Sequence, residues 1–305
     1  SGDPSFVRNT APATRRKDYL SPSKVRTFND FAKSIKKAGV NNIDNLVIDN
    51  TWFDLPQIEK GWSKDKTQVG SIAALPVDEG FSNNVLSDNA DANGAEALKD
   101  SLNANSVNVG SVTFGSIPSD LDNEANLVAQ TQSASIKDLL SQTLKTSNNV
   151  YAEQLLAAAI HIKKGKVNTQ TRKDFFISEL KNIVGDTGGF NFVNGSGYSR
   201  DVKVSCDLLF NTTNAMLKKG IDLNELSSDA GSDGTLKERF AFANTEISAK
   251  TGTLDGVTAL SGEMNDNLHF SFISNGSFGQ SQGHAYQDQI IKILQLAVDR
   301  QELKL

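Results

Sequence analysis

The feature that most constrains this chain is an eight-residue segment, Ile247 to Leu254, which reads Ile-Ser-Ala-Lys-Thr-Gly-Thr-Leu. Its alternation of side chains predicts a β-strand with Lys250 on one face. Gly252 has no Cβ, so another backbone or a ligand can approach the strand closely there. An exposed strand edge can pair with an extended peptide, to which Lys250 would offer a positive charge. Taken alone, the Lys-Thr-Gly triplet also fits a surface lysine before a turn.

A second polar segment, Ser147-Asn148-Asn149, lies about one hundred residues upstream. Apolar spacing predicts a helix capped by Ser133 that ends at this segment, and a second helix from Val150 through Ile160. The segment therefore falls in the break between two helices, where its three polar side chains can turn inward. The alternative interpretation is that these residues only cap the two helix ends.

Composition excludes several other classes of function. The 305 residues carry a formal net charge of −5 with mixed signs along the chain, so we expect no nucleic-acid-binding face. No apolar run approaches the ~20 residues that a transmembrane helix needs. The three histidines lack metal-ligand spacing, and we expect neither a metal nor a cofactor. Cys206 is the one cysteine, and we interpret it as a small buried apolar residue.

The beginning of the chain offers one candidate nucleophile. Ser1-Gly2-Asp3-Pro4 is neither an initiator methionine nor a signal peptide, so we expect a processed or trimmed product. Ser21 to Lys24 spells Ser-x-x-Lys, a spacing in which the lysine can take the serine proton across one helical turn. Ser21 at the N-cap and Pro22 at the first helical position also predict the start of a helix that Gly39 closes. We favour this helix start over the nucleophile.

Three further segments receive structural interpretations. The polar stretch from Phe81 to Ala95 is predicted to be a loop, followed by a short helix to Leu102. The segment Asn194 to Arg200 contains Gly-Ser-Gly, but its spacing differs from that of a nucleophile elbow, so a structural turn is predicted. The glycine-rich loop Asp229 to Leu236 lacks the Gly-Lys-Ser/Thr ending of a phosphate loop.

Together these segments resemble the D-alanyl-D-alanine carboxypeptidases and endopeptidases of the class C low-molecular-mass penicillin-binding proteins. Enzymes of this superfamily carry three boxes, Ser-x-x-Lys, Ser-Asp-Asn and Lys-Thr-Gly. Ser147 to Asn149 matches the middle box as Ser-x-Asn, and Lys250 to Gly252 matches the last, in the right order. The resemblance covers nearly the whole chain and includes Gly2-Asp3-Pro4, Gly39, Gly61-Trp62, Asn194 to Arg200 and Asp233 to Leu236.

The resemblance implies an α/β (α+β) fold of the serine β-lactamase/transpeptidase type, with a five-stranded antiparallel sheet flanked by helices. An accessory module is inserted between the first two boxes, which gives an accessory module at 1–126 and a transpeptidase-like domain at 127–305. Because the nucleophile box of the family precedes the segment that resembles Gly2-Asp3-Pro4, it is expected upstream of Ser1. The chain is therefore expected to lack its catalytic serine, its general-base lysine and the first part of that domain.

The resemblance also implies roles for site residues. A serine attacks the bond between two D-alanines of a peptidoglycan stem peptide, and water releases the acyl-enzyme. Ser147 and Lys250 relay the proton to the leaving amine, and Asn149 binds the substrate amide. The substrate-binding residues that follow Lys250 are Thr251, Gly252 and Thr253; the two threonines and Lys250 bind the terminal carboxylate.

The implied partners are peptidoglycan stem peptides, β-lactam antibiotics and the missing N-terminal segment, and the implied location is extracytoplasmic. Three hypotheses stay open at this point. The first is a carboxypeptidase whose N-terminal piece was cut off or left out. The second is a non-catalytic homologue or fragment that binds peptidoglycan, and the third is a serine β-lactamase. Gly61-Trp62 and the accessory module argue against the third.

Overall fold

A computed structural model of the chain describes residues 2–8, 25–62, 70–82, 85–185, 189–265 and 268–300. Eight α-helices lie within these ranges. Their bounds are α1 Phe28–Lys37, α2 Ala90–Ala104, α3 Ile136–Thr146, α4 Asn149–Lys164, α5 Thr169–Val184, α6 Cys206–Lys218, α7 Leu223–Leu226 and α8 Gln280–Asp299. Short 3₁₀ turns occupy Asp78–Gly80, Glu124–Asn126 and Gly234–Leu236.

The strands of the described ranges pair into one larger sheet and several small ones. Their bounds are β1 Phe6–Val7, β2 Arg26–Thr27, β3 Asn42–Ile48, β4 Phe53–Asp54, β5 Phe81–Ser82, β6 Val85–Leu86, β7 Asn108–Phe114, β8 Val167–Asn168, β9 Ser228–Asp229, β10 Ile247–Leu254, β11 Val257–Met264 and β12 Leu268–Asn275. The predicted mixture of helices and strands is therefore confirmed.

The chain divides into two compact units that interleave along the sequence. Unit 1 contains residues 1–139, 149–175 and 194–199, and unit 2 contains residues 140–148, 176–193 and 200–305. The predicted modules, 1–126 and 127–305, concern family organisation rather than contacts within the chain, and that boundary stays a prediction.

Unit 1 contains a parallel strand pair covered by helices. β3 and β7 run parallel, and their register passes from Ile43 opposite Val109 to Asn45 opposite Ser111, omitting the pair at Gly110. A Cβ at Gly110 would lie 2.6 Å from the Asp44 carbonyl oxygen, so the predicted irregularity at this glycine is a close backbone approach. Phe28, Leu102 and Val107 are among the residues of the core beneath this pair.

Unit 2 contains the largest sheet of the described residues. Its four strands are antiparallel in the order β12-β11-β10-β9, and α6 and α8 pack against it. Ile247 and Ala249 of β10 are buried with Leu260 and Met264 of β11 in its core. The resemblance implied five strands, and the described part of the chain supplies four of them.

Several helix starts differ from the predictions. α1 begins at Phe28, where the Thr27 hydroxyl accepts a hydrogen bond from the Asp30 N–H at 2.9 Å, rather than at Ser21. The cap of α3 is formed by Ser135, whose hydroxyl accepts from the Asp138 N–H at 3.1 Å, and not by Ser133. In each case the capping oxygen belongs to the residue three positions before the N–H from which it accepts a hydrogen bond, as an N-cap requires.

The predicted loop from 81 to 95 is also partly wrong. It contains the short β5–β6 pair, and α2 already begins at Ala90. The Asn89 side chain accepts from the Ala92 N–H at 3.0 Å and caps this helix. Cys206 is exposed at the start of α6, so its interpretation as a buried residue was wrong as well.

Candidate active site

The strand predicted from 247 to 254 is confirmed as β10, with the same bounds. It pairs along its whole length with β11, from Ile247 opposite Met264 to Leu254 opposite Val257. On its other side β9 pairs only with the first part of β10, at 248 and 249. No strand in the described ranges pairs with 250–254 on that side. This part of the strand is therefore placed as an edge, as the sequence predicted.

The predicted break between two helices is confirmed at Ser147. This residue has a φ of +54°, in the left-handed region that glycine usually occupies after a helix. The Asn148 N–H bonds to the Thr143 carbonyl at 3.0 Å, which completes a Schellman-type end for α3. A serine in this conformation costs about 1 kcal/mol relative to glycine. That cost points to a use for its hydroxyl.

Ser147 and Lys250 meet directly, although 103 residues separate them in the chain. The Lys250 ammonium donates a hydrogen bond to the Ser147 hydroxyl oxygen at 2.8 Å. It also donates to the backbone carbonyl of Thr251. The structure thus brings together the first residue of the Ser-x-Asn segment and the first residue of the Lys-Thr-Gly segment.

The environment of Lys250 changes its proton affinity. Burial lowers the pKa of its ammonium from 10.5 to about 8, because the charged form loses contact with water. An amine with this pKa is partly neutral near pH 7 to 8, so it can both give and take a proton. Its hydrogen bond to a hydroxyl makes Ser147 the group with which that proton can be exchanged.

Thr251 and Gly252, which follow Lys250, differ in their surroundings. The Thr251 hydroxyl donates to the Thr235 hydroxyl at 2.9 Å. Gly252 is exposed, and a Cβ there would meet the Ala259 Cβ at 3.3 Å. Gly252 is therefore accessible from solvent, and the close approach of a ligand at this glycine stays a prediction.

A histidine that the sequence analysis did not single out lies beside Thr253. Its Nε2 atom is 3.4 Å from the Thr253 hydroxyl, and the residue is His284 on α8. Burial lowers the pKa of His284 below 6.5; the Arg239 cation lowers it further, and the Asp288 carboxylate opposes them. The net effect favours the neutral form of the imidazole. No sequence signal pointed to this contact, because His284 belongs to no motif.

Asn149 is the first residue of α4 and is buried. It falls in unit 1, whereas Ser147 and Lys250 fall in unit 2. Its predicted role, binding a substrate amide within the same site, stays a prediction.

The turn at Asn194 to Arg200 is held by a carboxylate. Glu153 of α4 is almost fully buried and accepts hydrogen bonds from the N–H groups of Gly195 and Ser196, both at 2.8 Å. Two backbone donors directed at one carboxylate fix the conformation of a turn. This contact supports the predicted structural role of the turn.

Glu153 also belongs to a buried ionic cluster. The Arg172 guanidinium lies 3.9 Å from Glu153 and donates to the Glu59 carboxylate, and all three side chains are buried. Burial raises the pKa of Glu59, and the hydrogen bond from Arg172 opposes this effect. The cluster joins α4 to the first turn of α5, within unit 1.

Ser21 to Lys24 lies outside the described residues, so its geometry is not defined. Ser-x-x-Lys spacing also occurs at Ser34 and Lys37 of α1, where the Ser34 hydroxyl bonds to the Asp30 carbonyl. The spacing alone is therefore not specific in this chain.

Within the described ranges, no cluster of three or more His, Cys, Asp or Glu residues could hold a metal ion. No helix of these ranges combines the length and apolar character needed to cross a membrane.

Comparison with known proteins identifies the family. Residues 1–95 and 70–296 match the D-Ala-D-Ala carboxypeptidase 3 (S13) family, so the chain belongs to that family. The predicted resemblance to carboxypeptidases of the penicillin-binding class is thereby confirmed.

Individual relatives agree with this assignment. The carboxypeptidase Rv3627c of Mycobacterium tuberculosis is 29% identical over 303 residues, which cover 90% of this chain and 62% of that protein. A D-alanyl-D-alanine carboxypeptidase of Actinomadura sp. is 30% identical over 180 residues, covering 53% of this chain and 32% of that protein. The chain thus matches less than two thirds of the length of these relatives.

A solved structure shows the same fold. Penicillin binding protein 4 of Haemophilus influenzae aligns with a TM-score of 0.74 and 20% identity, over 92% of this chain and 76% of that chain.

Proposed function

We propose that this chain is part of a serine-type D-alanyl-D-alanine carboxypeptidase that acts on peptidoglycan stem peptides through an acyl-enzyme. The observation that carries the proposal is the 2.8 Å hydrogen bond between Lys250 and Ser147, made by an amine whose pKa burial lowers to about 8. Such a pair can pass a proton to a leaving amine. Membership of the S13 family supplies the substrate class, a peptide that ends in D-Ala-D-Ala.

The substrate would bind along the edge of β10. Its terminal carboxylate would accept hydrogen bonds from Thr251 and Thr253 and interact with the Lys250 charge. Exposed Gly252 leaves room for the peptide backbone beside these donors. Asn149 would bind the amide of the substrate, and the backbone N–H of Thr253 would serve as one donor of the oxyanion hole. One such donor is typically worth ~100 to 1000-fold in rate.

The nucleophile is the second part of the proposal. We infer that the serine and its general-base lysine come from a Ser-x-x-Lys box in a segment of the protein outside residues 1–305. The same serine would be acylated by β-lactams, and the enzyme would work outside the cytoplasm, where peptidoglycan lies. A fragment or homologue that binds peptidoglycan without cleaving it is the alternative. It is favoured if the nucleophile is absent from the whole protein.

Labelling with a fluorescent penicillin tests the proposal. The protein would be produced as residues 1–305 and as the chain extended by its natural upstream segment. We expect covalent labelling of the extended form only, and its loss in Lys250→Ala. An exposed lysine of unit 2, Lys219, provides the matched Lys219→Ala control, which should keep its labelling.

Three outcomes would contradict the proposal. Undiminished labelling of Lys250→Ala would remove Lys250 from the mechanism. Labelling of residues 1–305 that Ser21→Ala abolishes would place the nucleophile at Ser21 instead. An extended protein that binds peptidoglycan but never labels would favour the non-catalytic alternative.

A further inference from the structure

The glycine-rich loop from Asp229 to Leu236 has no role in the proposed chemistry, yet it contacts both segments of the site. Its first residue belongs to β9, and its last three form a 3₁₀ turn. All of its contacts described below lie within unit 2.

Asp233 binds the end of helix α3. One of its carboxylate oxygens accepts from the Lys145 ammonium at 2.5 Å, and the other accepts from the Asp229 N–H at 2.9 Å. Lys145 stands two residues before Ser147, and its side chain is only 13% exposed. Asp229 in turn accepts a hydrogen bond of 2.6 Å from the hydroxyl of Ser248, two residues before Lys250. These bonds connect the end of α3 to the strand that carries Lys250.

Gly234 allows the loop backbone to lie against the end of the helix. Its φ is +56°, and a Cβ at this position would lie 2.6 Å from the Lys145 carbonyl oxygen and 2.1 Å from the Ser228 hydroxyl. Distances this short cannot be accommodated without moving the loop or the helix end. Glycine is therefore required here for close approach as well as for backbone conformation.

Thr235 begins a chain of hydroxyl groups. Its N–H donates to the Ser228 hydroxyl at 3.0 Å, the two hydroxyls are 3.2 Å apart, and Ser228 donates to the Lys145 carbonyl at 3.3 Å. A carbonyl only accepts, so the protons run from Thr251 through Thr235 and Ser228 to Lys145. In this arrangement the Thr251 proton points at Thr235. A carboxylate bound at Thr251 could take that proton only if the Thr251 hydroxyl turned away from Thr235.

We propose that Asp233, Gly234 and Thr235 form a positioning clamp that holds the Ser147 end of α3 against the Lys250–Thr251 part of β10. The clamp sets the distance between the Ser147 hydroxyl and the Lys250 amine, and Thr235 orients the Thr251 hydroxyl. The second of these roles rests on the proposed function, because it assumes a carboxylate ligand. Small misplacements of groups in such a site reduce rates strongly, which is why a supporting set of contacts is expected.

Acylation of Lys250 by trace acetic anhydride, followed by peptide mass spectrometry, measures how much of its amine is neutral at each pH. We expect Gly234→Ala to separate α3 from β10, admit water and raise the pKa of Lys250 toward 10.5. A rise of about one unit from 8 reduces the neutral fraction at pH 8, and the labelling rate, about fivefold.

The matched control is Gly231→Ala. Gly231 shares the left-handed conformation, with a φ of +67°, but a Cβ there would meet its nearest atom at an ordinary 3.6 Å. Equal labelling of Lys250 in the two variants would overturn the clamp. If Gly234→Ala does not fold, the same labelling is measured in the double variant Lys145→Gln with Asp233→Asn, which leaves the net charge unchanged. An unchanged dependence of Lys250 labelling on pH in that variant would also overturn the clamp.

The role of Thr235 is tested by dipeptide affinity. In the upstream-extended protein, Thr235→Val should strengthen binding of N-acetyl-D-alanyl-D-alanine several-fold, because the Thr251 proton is no longer held by Thr235 and becomes free for the carboxylate. Thr213→Val, which removes another paired hydroxyl of unit 2, should not. Equal affinity of the two variants would reject the orienting role. A wild-type protein that does not bind the dipeptide would count against the proposed function, while the Lys250 labelling would still judge the clamp.

Discussion

Replacement of Lys250 by methionine tests the central electrostatic feature of the site. Methionine keeps an unbranched chain of similar length but carries no charge. Burial lowers the pKa of Lys250 from 10.5 to about 8, and each pKa unit corresponds to about 1.4 kcal/mol. The charged lysine therefore destabilises the folded chain by about 3 kcal/mol at neutral pH.

This penalty depends on pH in a defined direction. The pKa of Lys250 is lower in the folded than in the unfolded chain, so the unfolded chain binds the proton more tightly between pH 8 and 10.5. Stability due to this group is therefore gained as the pH rises through that window. From pH 7 to pH 9.5 the penalty falls by about 2 kcal/mol, and it is absent at both values in Lys250→Met.

Urea unfolding of both proteins at pH 7 and pH 9.5 measures the effect. The free-energy difference between Lys250→Met and wild type should shift by about 2 kcal/mol in favour of wild type at the higher pH. Lys219→Met, at an exposed position of the same unit, reports what the loss of any surface charge contributes. A difference for Lys250→Met that stays constant between the two pH values would refute the buried-amine interpretation.

Three other changes have defined outcomes. Gly262→Ala puts a Cβ 2.1 Å from a carbonyl oxygen of β10 and should lower the free energy of unfolding by about 2 kcal/mol or more. Gly252→Ala, at an exposed position, should lower it by less than about 1 kcal/mol. Equal losses of the two variants in chemical unfolding would contradict this. Arg172→Met leaves Glu59 buried without its cation and should lower the free energy of unfolding by about 3–5 kcal/mol, so a loss under about 1 kcal/mol speaks against the cluster. Since the pKa of His284 is lowered from 6.5 on folding, wild type should lose stability below pH 6.5 that His284→Gln keeps, and parallel stability profiles would exclude this.

Local patterns predicted the two segments that form the candidate site. Alternation of side chains gave the bounds of β10, because successive side chains of a strand point to opposite faces of the sheet. Helical periodicity that stops and restarts placed the break at Ser147. The two motifs in this order, together with further segments such as Gly61-Trp62 and Asp233 to Leu236, then gave the resemblance to the family.

The supporting contacts could not be predicted because they depend on tertiary packing. His284 lies 31 residues from Thr253, and nothing in the sequence between them indicates that they meet. The predicted helix starts were wrong for a related reason. This chain is rich in Ser, Thr and Asn, so many residues could cap a helix, and packing decides whether Thr27 or Ser21 does so. The left-handed conformation of Ser147 had no signal either, because glycine is the usual residue there.

Titration of selectively ¹³C-labelled Lys250 by NMR, with N-acetyl-D-alanyl-D-alanine as the ligand, tests most directly whether the hydroxyl–amine pair recognises a D-alanine tail. In the upstream-extended protein, the dipeptide should produce a saturable change in the Lys250 side-chain resonance, and the L-alanyl-L-alanine isomer should produce none. Identical responses to both isomers, or no response to either, would contradict the function proposed for Ser147 and Lys250.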